Sequence, residues 1–491
     1  MTDQDRDCCA TGGKNGRYDL AVIGAGSAGF SAAITAAERG AQVALIGHGT
    51  IGGTCVNVGC VPSKTLIRAT ETLHQAASAS RFAGMDGHAR IRNWQAVIAQ
   101  KNALVAELRQ AKYADLLPAY NGVEYIEGSA RLVEGGVAVN GQTIQTEKII
   151  VTTGARPAVP DIPGIEDVPY LTSTTALELE ELPKSLLVIG GGYIGAEIAQ
   201  MLARAGVKVT IVCRSRLLPA AEPEISEALT GYFRDEGIRL ESGVAYKDIS
   251  RTESGVAYKD ISRTEIGVAL RIISDGREDR LEAERVLVAT GRQPNTEGLG
   301  LEESGIRLDG GGGIGVDDRM RTSKPGIYAA GDVTGRDQFV YMAAYGAKLA
   351  AENAMNSDAR RYDATAMPSV VFTDPQVASV GLTEQEAQEQ GLQVRSSLLP
   401  LEYLPRALAA RDTRGLIKLV AETESGRLVG AHILAPEGAD SIQTAALAIK
   451  HRLTVSDLAE TIFPYLTTVE GLKLAAQTFD KDIAKLSCCA G

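Results

Sequence analysis

Residues 18–29 read Tyr-Asp-Leu-Ala-Val-Ile-Gly-Ala-Gly-Ser-Ala-Gly, an apolar strand that runs directly into a glycine-rich turn. An alanine-rich helical stretch (30–38) and a second apolar strand follow. This order of strand, G-x-G-x-x-G, helix and strand predicts a βαβ unit that binds a dinucleotide. Gly24 allows the tight turn, Gly26 lets the backbone approach a pyrophosphate, and Gly29 lets helix and strand pack closely. The pyrophosphate is expected at the helix N-terminus, where backbone N–H groups and the helix dipole favour an anion.

The same pattern recurs in the middle of the chain. A strand, the run Gly-Gly-Gly-Tyr-Ile-Gly at 190–195, a helix (196–204) and another strand follow one another. The glycines that match the fingerprint are Gly190, Gly192 and Gly195. Two dinucleotide-binding units in one chain predict two dinucleotides, a flavin (FAD) and a nicotinamide.

The residues after the second strand of this unit indicate which nicotinamide is used. An acidic residue there usually binds the ribose 2′-hydroxyl of NAD, whereas arginine accommodates a 2′-phosphate. This chain has Arg214 and Arg216, and no acidic residue precedes Glu222. The sequence therefore predicts NADPH, with both arginines near the 2′-phosphate.

The corresponding position of the first unit departs from the usual pattern. Its second strand ends Leu45-Ile46-Gly47-His48, and Gly47 occupies the position where a ribose-binding glutamate is expected. The adenosine must be bound by other means there, and a backbone group or a water molecule are the candidates.

A cysteine pair follows the first βαβ unit. Cys55 and Cys60 lie in the run Gly52-Gly-Thr-Cys-Val-Asn-Val-Gly-Cys-Val-Pro-Ser-Lys64, with the spacing C-x4-C. The run is expected to open a helix, whose dipole lowers the pKa of a thiol and stabilises a thiolate. A zinc site would need further ligands, and His48 alone does not supply them. The pair therefore predicts redox chemistry.

This run closely resembles the flavoprotein disulfide reductases. In that family the first cysteine faces the substrate and the second lies against the flavin as a charge-transfer thiolate. The resemblance assigns these roles to Cys55 and Cys60. It also places Lys64 near the flavin, paired with Glu197.

Other segments of the chain match the same family in order. Asp332, in the run Gly-Ile-Tyr-Ala-Ala-Gly-Asp, matches the residue that contacts the ribityl side of the flavin, and Tyr193 matches the tyrosine that covers the nicotinamide pocket. The resemblance implies an α/β fold with two Rossmann-like dinucleotide-binding domains, for FAD and NADPH, and a C-terminal α+β dimerisation domain. The expected parts are a flexible N-terminal tail (1–16), an FAD domain (17–155), an NADPH domain (156–285), a second part of the FAD domain (286–362) and an interface domain (363–491).

The C-terminal region indicates the substrate class. Members that reduce organic disulfides carry a histidine five residues before a glutamate, because a departing thiolate needs a proton and histidine can supply it near neutral pH. Counting back from Glu470, that position holds Tyr465, and no histidine lies in the last forty residues. The proton relay for disulfide exchange is therefore missing from the sequence.

The chain ends instead with an adjacent pair, Cys488-Cys489. Adjacent thiols suit a soft, two-coordinate cation such as Hg(II), which prefers thiolates. The resemblance implies a two-fold homodimer in which the terminal pair of one subunit passes Hg(II) from thiolate complexes to Cys55 and Cys60 of the other. Tyr193 and Tyr465 would line that inner site. The expected activity is NADPH-dependent reduction of Hg(II) to Hg(0), a mercury detoxification.

Two alternatives remain open from the sequence. A thioredoxin-reductase-like enzyme also ends in a dithiol, although the missing histidine counts against it. A thiol-rich, metal-sequestering protein with a vestigial flavin site is a different class of protein, suggested by Gly47 and by the three cysteine pairs, of which Cys8-Cys9 is the third. Cys8-Cys9 is either a metal-capture site or part of a disordered tail.

Composition restricts the partners. The formal net charge of −11 argues against a general nucleic-acid binder, which needs clustered lysine and arginine. The N-terminus lacks the apolar core of a signal peptide, and no stretch reaches about 18 uninterrupted apolar residues. The sequence predicts a cytoplasmic protein without a membrane span.

Two features have no predicted role in the chemistry. The block Glu-Ser-Gly-Val-Ala-Tyr-Lys-Asp-Ile-Ser-Arg-Thr at 241–252 is repeated without change at 253–264. Two copies are too few for a solenoid, so we expect a duplication in a solvated surface hairpin of the NADPH domain. Cys213 is expected to be a structural, partly buried thiol.

Overall fold

The computed structural model describes residues 17–254, 265–356 and 358–485. They form two compact units, one made of the chain up to Pro62, Gln100–Pro157 and Arg292–Asp363, the other of Ser63–Ala99, Ala158–Gly291 and the chain from Ala364 on. Each unit contains a parallel sheet with one of the two glycine-rich turns at its carboxyl edge.

The parallel sheet of the first unit is buried on both faces. The strands are numbered in chain order. Side by side in the sheet they lie in the order β18 (Ile327–Ala329), β7 (Ile149–Val151), β1 (Leu20–Ile23), β2 (Val43–Gly47) and β3 (Val123–Glu127). One face packs against α1 (Ser27–Ala37) and α8 (Val340–Met355), the other against the antiparallel strands β4 (Ala130–Val133), β5 (Gly136–Val139) and β6 (Gln142–Gln145). Cover on both faces is what all-apolar parallel strands require.

The segment between β2 and β3 is divided between the two units, since Ser63–Ala99 belongs to the second. Between β2 and β3 the chain forms α2 (Gly53–Val58), α3 (Cys60–Ala77) and α4 (Trp94–Lys112), and β8 (Ala155–Pro157) later pairs with β17 (Arg292–Pro294).

The second unit also contains a five-stranded parallel sheet with an antiparallel sheet over one face. Its parallel sheet has the order β12 (Arg239–Ser242), β11 (Lys208–Cys213), β10 (Ser185–Ile189), β16 (Arg285–Val288) and β9 (Tyr170–Leu171), with α5 (Ser173–Ala176), α6 (Tyr193–Arg204) and α7 (Pro223–Asp235) following its strands. An antiparallel sheet of β13 (Ala245–Ser254), β14 (Glu265–Ser274) and β15 (Arg277–Ala283) covers one face through a shared apolar core.

The C-terminal part of the second unit is an antiparallel sheet with helices. The strands lie in the order β19 (Pro368–Val371), β20 (Gln376–Gly381), β23 (Leu428–Ala435), β22 (Leu416–Glu422) and β21 (Val394–Pro400). The helices are α9 (Glu384–Glu389), α10 (Pro405–Ala410), α11 (Gly438–Lys450), α12 (Val455–Glu460) and α13 (Glu470–Gln477). Short 3₁₀ turns along the chain lie at Ser78–Arg81, Ala114–Ala119, Ile165–Asp167, Asp332–Thr334, Leu401–Tyr403 and Ile483–Lys485.

The predicted fold class is confirmed, with differences at element ends. Both fingerprint helices begin three residues before the predicted starts at 30 and 196, because Gly26 and Gly192 are their N-caps. The units divide after Gly291, whereas the sequence places the domain change at 286. Strand β16 pairs with β10, and this pairing keeps the strand with the second sheet.

The first copy of the duplicated block lies in an antiparallel hairpin, as predicted, but two of its residues are buried. This copy supplies the end of β12 and most of β13, and Val244 and Ile249 are buried in the core beneath that sheet. The other residues of this copy are exposed or partly exposed, and Lys247 and Asp248 form ion pairs with Glu278 and Arg271. The second copy lies mostly outside the described residues, since 255–264 are not among them.

None of the helices in the described ranges combines the length and the apolar character that crossing a bilayer requires.

Candidate active site

The first glycine-rich turn leaves no room for side chains at two of its glycines. Gly24 has φ +117°, and a Cβ there would lie 2.3 Å from the carbonyl oxygen of Thr152. A Cβ on Gly29 would lie 1.7 Å from the carbonyl oxygen of Gly24. Helix α1 starts at this turn without a side-chain cap, so its first N–H groups are positioned for an anionic ligand. The turn therefore fits a pyrophosphate.

The second turn has the same construction. Gly190 also has φ +117° and would place a Cβ 2.3 Å from the carbonyl oxygen of Ala289, while a Cβ on Gly195 would lie 2.1 Å from the carbonyl oxygen of Gly190. A Cβ on Gly192, in contrast, would meet no atom within 4 Å. Gly192 thus borders open space, which is the arrangement expected where a pyrophosphate approaches the backbone.

The middle glycine of this turn, Gly191, has a packing role that the fingerprint pattern does not indicate. A Cβ on Gly191 would lie 3.2 Å from the Cβ and Sγ of Cys213. Cys213 is buried at the end of β11, as predicted, and burial raises the pKa of its thiol to about 11. The thiol is therefore protonated and acts as a small apolar group beneath the turn.

The cysteine pair lies at a break between two helices next to the first glycine-rich turn. Cys55 is in α2, Cys60 begins α3, and a Cβ on the intervening Gly59 would lie 2.9 Å from the carbonyl oxygen of Thr54. The glycine thus allows the two helices to meet closely. A Cβ on Gly53 would lie 2.7 Å from the Cα of Gly26, so the start of α2 packs on the dinucleotide turn.

Tyr113 lies beside both cysteines, and no motif in the sequence indicated it. Its pKa is raised, mainly by burial and further by its proximity to Cys55 and Cys60. Its hydroxyl lies 3.0 Å from the Oγ of Ser27 in the first turn of α1. The residue comes from the end of α4, about fifty positions along the chain, and only folding brings it here.

Lys64 and Glu197 form the predicted ion pair. The Nζ of Lys64 lies 2.7 Å from the Oε2 of Glu197, whose side chain is almost completely buried. The other carboxylate oxygen accepts the backbone N–H of Phe372 at 2.9 Å, and the ammonium lies 4.8 Å from the centroid of the Phe372 ring. The buried carboxylate therefore holds the lysine in one position. Its proximity to a flavin stays a prediction.

Asp332 is a buried carboxyl group just after β18, at the carboxyl edge of the first sheet. Burial raises the pKa of Asp332, and Arg292, whose Nε lies 3.5 Å away, acts in the opposite direction. This environment suits a group that orients a polar ligand. The predicted contact with the ribityl side of the flavin stays a prediction.

The two arginines after β11 have different surroundings. Arg216 is half-buried, and its guanidinium donates to the carbonyl oxygens of Pro219 and Ala221, at 3.1 Å and 2.7 Å. Arg214 is exposed. Arg214 is therefore the arginine better placed to bind a 2′-phosphate, whereas Arg216 also holds its own loop together.

At the C-terminal end, Glu470 binds a backbone N–H group. In the organic disulfide reductases, a histidine stands five residues before the corresponding glutamate, and here that position holds Tyr465. The carboxylate of Glu470 accepts the N–H of Leu466 at 3.2 Å, and burial raises its pKa. Tyr465 is about half exposed. Tyr193 is half-buried in the first turn of α6. Cys488 and Cys489, like Cys8 and Cys9, lie outside the described residues.

Comparisons with known proteins agree with this geometry. The family description "pyridine nucleotide-disulphide oxidoreductase" matches residues 18–351, and the dimerisation domain of the same family matches residues 367–476. The chain is 31% identical to the Escherichia coli HOCl-induced flavoprotein disulfide reductase RclA, in its Cu(II) complex, with a TM-score of 0.81, 94% of this chain and 99% of that chain covered. For LpdA from Mycobacterium tuberculosis the identity is 29% and the TM-score 0.81, with 94% and 100% covered.

The chain therefore belongs to the pyridine nucleotide-disulphide oxidoreductase family and is an oxidoreductase that uses FAD and NADPH. Within that family it is similar over nearly its whole length to mercuric reductases. The identity is 46% to that of Staphylococcus aureus, covering 97% of this chain and 85% of the relative, and 48% to that of Shigella flexneri, covering 98% and 84%. For the mercuric reductase of Streptomyces lividans it is 46%, covering 96% and 98%.

Proposed function

We propose that this protein reduces Hg(II) to Hg(0) with electrons from NADPH, in a homodimer that works in the cytoplasm. The observation that carries the proposal is the C-terminal site, where Tyr465 stands five residues before Glu470 and the glutamate binds a backbone N–H. A site without an imidazole cannot supply the proton that a departing thiolate needs in disulfide exchange. It suits Hg(II), which binds thiolates and needs no proton in order to leave them. The relatives named mercuric reductase and the dimerisation domain support the activity and the assembly.

Cys55 and Cys60 would bind Hg(II) as two thiolates and release their protons on binding. In the balanced reaction, Hg(II) held by two thiolates gains two electrons and leaves as Hg(0), the two thiolates remain, and NADPH becomes NADP⁺ with release of one proton. FAD, when bound, supplies the two-electron carrier between NADPH and this site. The reaction needs reduced thiols, which the cytoplasm maintains.

The chain's own residues would organise these steps. The turns at Gly24 and Gly190 would bind the pyrophosphates of FAD and NADPH, and Lys64 would be kept in place by Glu197. Tyr113, whose raised pKa keeps its hydroxyl protonated, would donate hydrogen bonds near the thiolates. The terminal cysteines of one subunit would deliver Hg(II) to the inner pair of the other, which Tyr193 and Tyr465 would line.

Oxidation of NADPH is expected with HgCl2 in excess small thiol, accompanied by loss of volatile mercury from solution. Turnover with glutathione disulfide or lipoamide should be about 10²–10⁴-fold lower, the factor that a general acid contributes. NADPH absorbance and total mercury, followed in the same samples, measure both. Faster turnover with glutathione disulfide than with Hg(II) would reject the proposal.

Replacing Arg214 with glutamate is expected to raise the KM for NADPH by about 10- to 100-fold, because a charge-assisted bond to the 2′-phosphate is lost. The KM for NADH should change little. Arg285→Glu is the matched control, since Arg285 is an exposed arginine at the opposite, amino-terminal edge of the same sheet. An Arg214→Glu variant that keeps its preference for NADPH would show that the 2′-phosphate binds elsewhere. Arg216 is a poorer test because its loss would also loosen the loop.

A further inference from the structure

The carboxyl end of β2 lacks the acidic side chain that usually binds the adenosine ribose, and the space it would occupy is filled. A Cβ on Gly47 would lie 2.7 Å from the Cβ of Ala25 and 2.8 Å from both the Cε2 and the Oη of Tyr125. These separations are too short for any side chain at position 47. Gly47 is therefore glycine for a steric reason, and a side chain is excluded both by the Cβ of Ala25 in the glycine-rich turn and by the phenol of Tyr125 on the next strand.

The strand that supplies this phenol also supplies a carboxylate at the right level of the sheet. In the parallel pair β2–β3, Leu45 is in register with Tyr125 and Gly47 with Glu127. Residues in register on parallel strands project from the same face. The side chain of Glu127 thus leaves the face from which a residue at position 47 would project, one strand spacing of about 4.8 Å away.

The surroundings of Glu127 leave its carboxylate available and its backbone fixed. The residue is exposed, and its side chain has no hydrogen bond or ion pair with the described part of the chain. Its carbonyl oxygen accepts the side-chain amide of Asn140 at 2.7 Å, and the N–H of the following Gly128 donates to Gly47 at 2.7 Å. The negative charge of Glu127, after burial, is the second cause that raises the pKa of Tyr125, so the phenol and the carboxylate are close together.

We propose that Tyr125 and Glu127 on β3 bind the adenosine ribose of FAD in place of the acid missing at Gly47. The carboxylate of Glu127 accepts hydrogen bonds from the ribose hydroxyls, and the hydroxyl of Tyr125 completes the site from the position that a side chain at 47 would enter. The acid that binds the ribose thus lies on β3 and not at the end of β2. The inference concerns FAD alone, so it stands whether or not Hg(II) is the substrate.

The test measures the dissociation constant of FAD from apoprotein by the change in flavin fluorescence on binding. Glu127→Gln is expected to raise this constant by about 10- to 100-fold, because a charge-assisted hydrogen bond becomes a weaker neutral one. Tyr125→Phe should raise it less. Glu134→Gln, at an exposed glutamate in the turn between β4 and β5, should leave it unchanged.

A flavin that lacks the ribose hydroxyls separates this contact from general effects. Unmodified protein should bind FAD made with 2′,3′-dideoxyadenosine about 10- to 100-fold more weakly than FAD, and Glu127→Gln should bind the analogue as well as unmodified protein does. If Glu127→Gln weakens binding of both flavins equally, or of neither, the assignment is wrong.

A relocation of the acid tests the same inference in the other direction. In the Glu127→Gln background, Gly47→Glu together with Ala25→Gly and Tyr125→Val removes both clashing groups and returns a carboxylate to β2. Affinity for FAD should recover to within a few-fold of the original value, and Gly47→Glu without Tyr125→Val should not recover it, because the phenol still fills the space. Recovery by Gly47→Glu alone would overturn the steric part of the argument.

Discussion

Replacing Cys55 or Cys60 with alanine is expected to lower Hg(II)-dependent oxidation of NADPH by about 10³-fold or more, the scale on which loss of an essential covalent residue acts. Cys55 in α2 and Cys60 at the start of α3 lie on either side of the break between these helices, and the first residue of α2 packs on the first dinucleotide turn. Neither cysteine can substitute for the other, because two thiolates are needed to hold a two-coordinate cation. The loss should therefore be the same with weakly and tightly complexed Hg(II).

The two variants should differ in one spectroscopic property. Cys60→Ala is expected to lose the long-wavelength absorption band of the two-electron-reduced enzyme, since that band needs a thiolate against the flavin, whereas Cys55→Ala should keep it. Reduction of ferricyanide by NADPH is the internal control and should persist in both variants, because this acceptor takes electrons without the cysteines. Normal Hg(II) turnover in either variant would show that another site carries the reduction.

The double variant Cys488→Ala, Cys489→Ala is expected to fail with Hg(II) in excess thiol, by about 10²-fold or more. In excess thiol the metal arrives bound to two sulfurs and must be taken by ligand exchange. Two adjacent cysteines do this well, because once one thiolate binds, the second is present at high effective concentration. Activity should be retained with HgBr2, whose ligands are weakly held, because that complex can reach Cys55 and Cys60 directly.

The comparison between the two mercury complexes is the decisive measurement. Initial rates of NADPH oxidation with each complex separate delivery from reduction, and Ser487→Ala serves as a control that changes the adjacent residue without removing a thiol. Equal loss with both complexes would mean that the terminal pair takes part in the reduction itself, and the delivery step would then be wrong.

Some of the candidate site could be predicted because its geometry is local. Gly24 and Gly29 are required by clashes within the turn and with the next strand of the same sheet, and a short pattern of glycines reports them. The C-x4-C spacing is equally local, since Cys55 lies in α2 and Cys60 begins α3, on either side of one break between helices. The pair Lys64–Glu197 was reached only through resemblance, because the residues are 133 positions apart.

Other parts of the site could not be found from the sequence. Tyr113 approaches the cysteines from the far end of α4, and no spacing rule links a tyrosine to a motif fifty residues earlier. Arg214 and Arg216 look equivalent in sequence. In the structure Arg216 donates hydrogen bonds to carbonyl oxygens of the following loop, whereas Arg214 is exposed. The duplicated block is rich in serine and charged residues, yet Val244 and Ile249 are buried in the apolar core that its hairpin shares with the second parallel sheet.

The amino-acid sequence by itself determined two βαβ units, their dinucleotide turns, the cysteine pair and the absence of a histidine at position 465, because each depends on neighbours within a few residues. Tertiary structure decided what replaces the acid at Gly47. Strand β3 lies about eighty residues further along the chain, and only its pairing in register with β2 brings Tyr125 and Glu127 to that edge. Contacts between distant strands are set by burial of the whole sheet, and a local sequence pattern does not predict them.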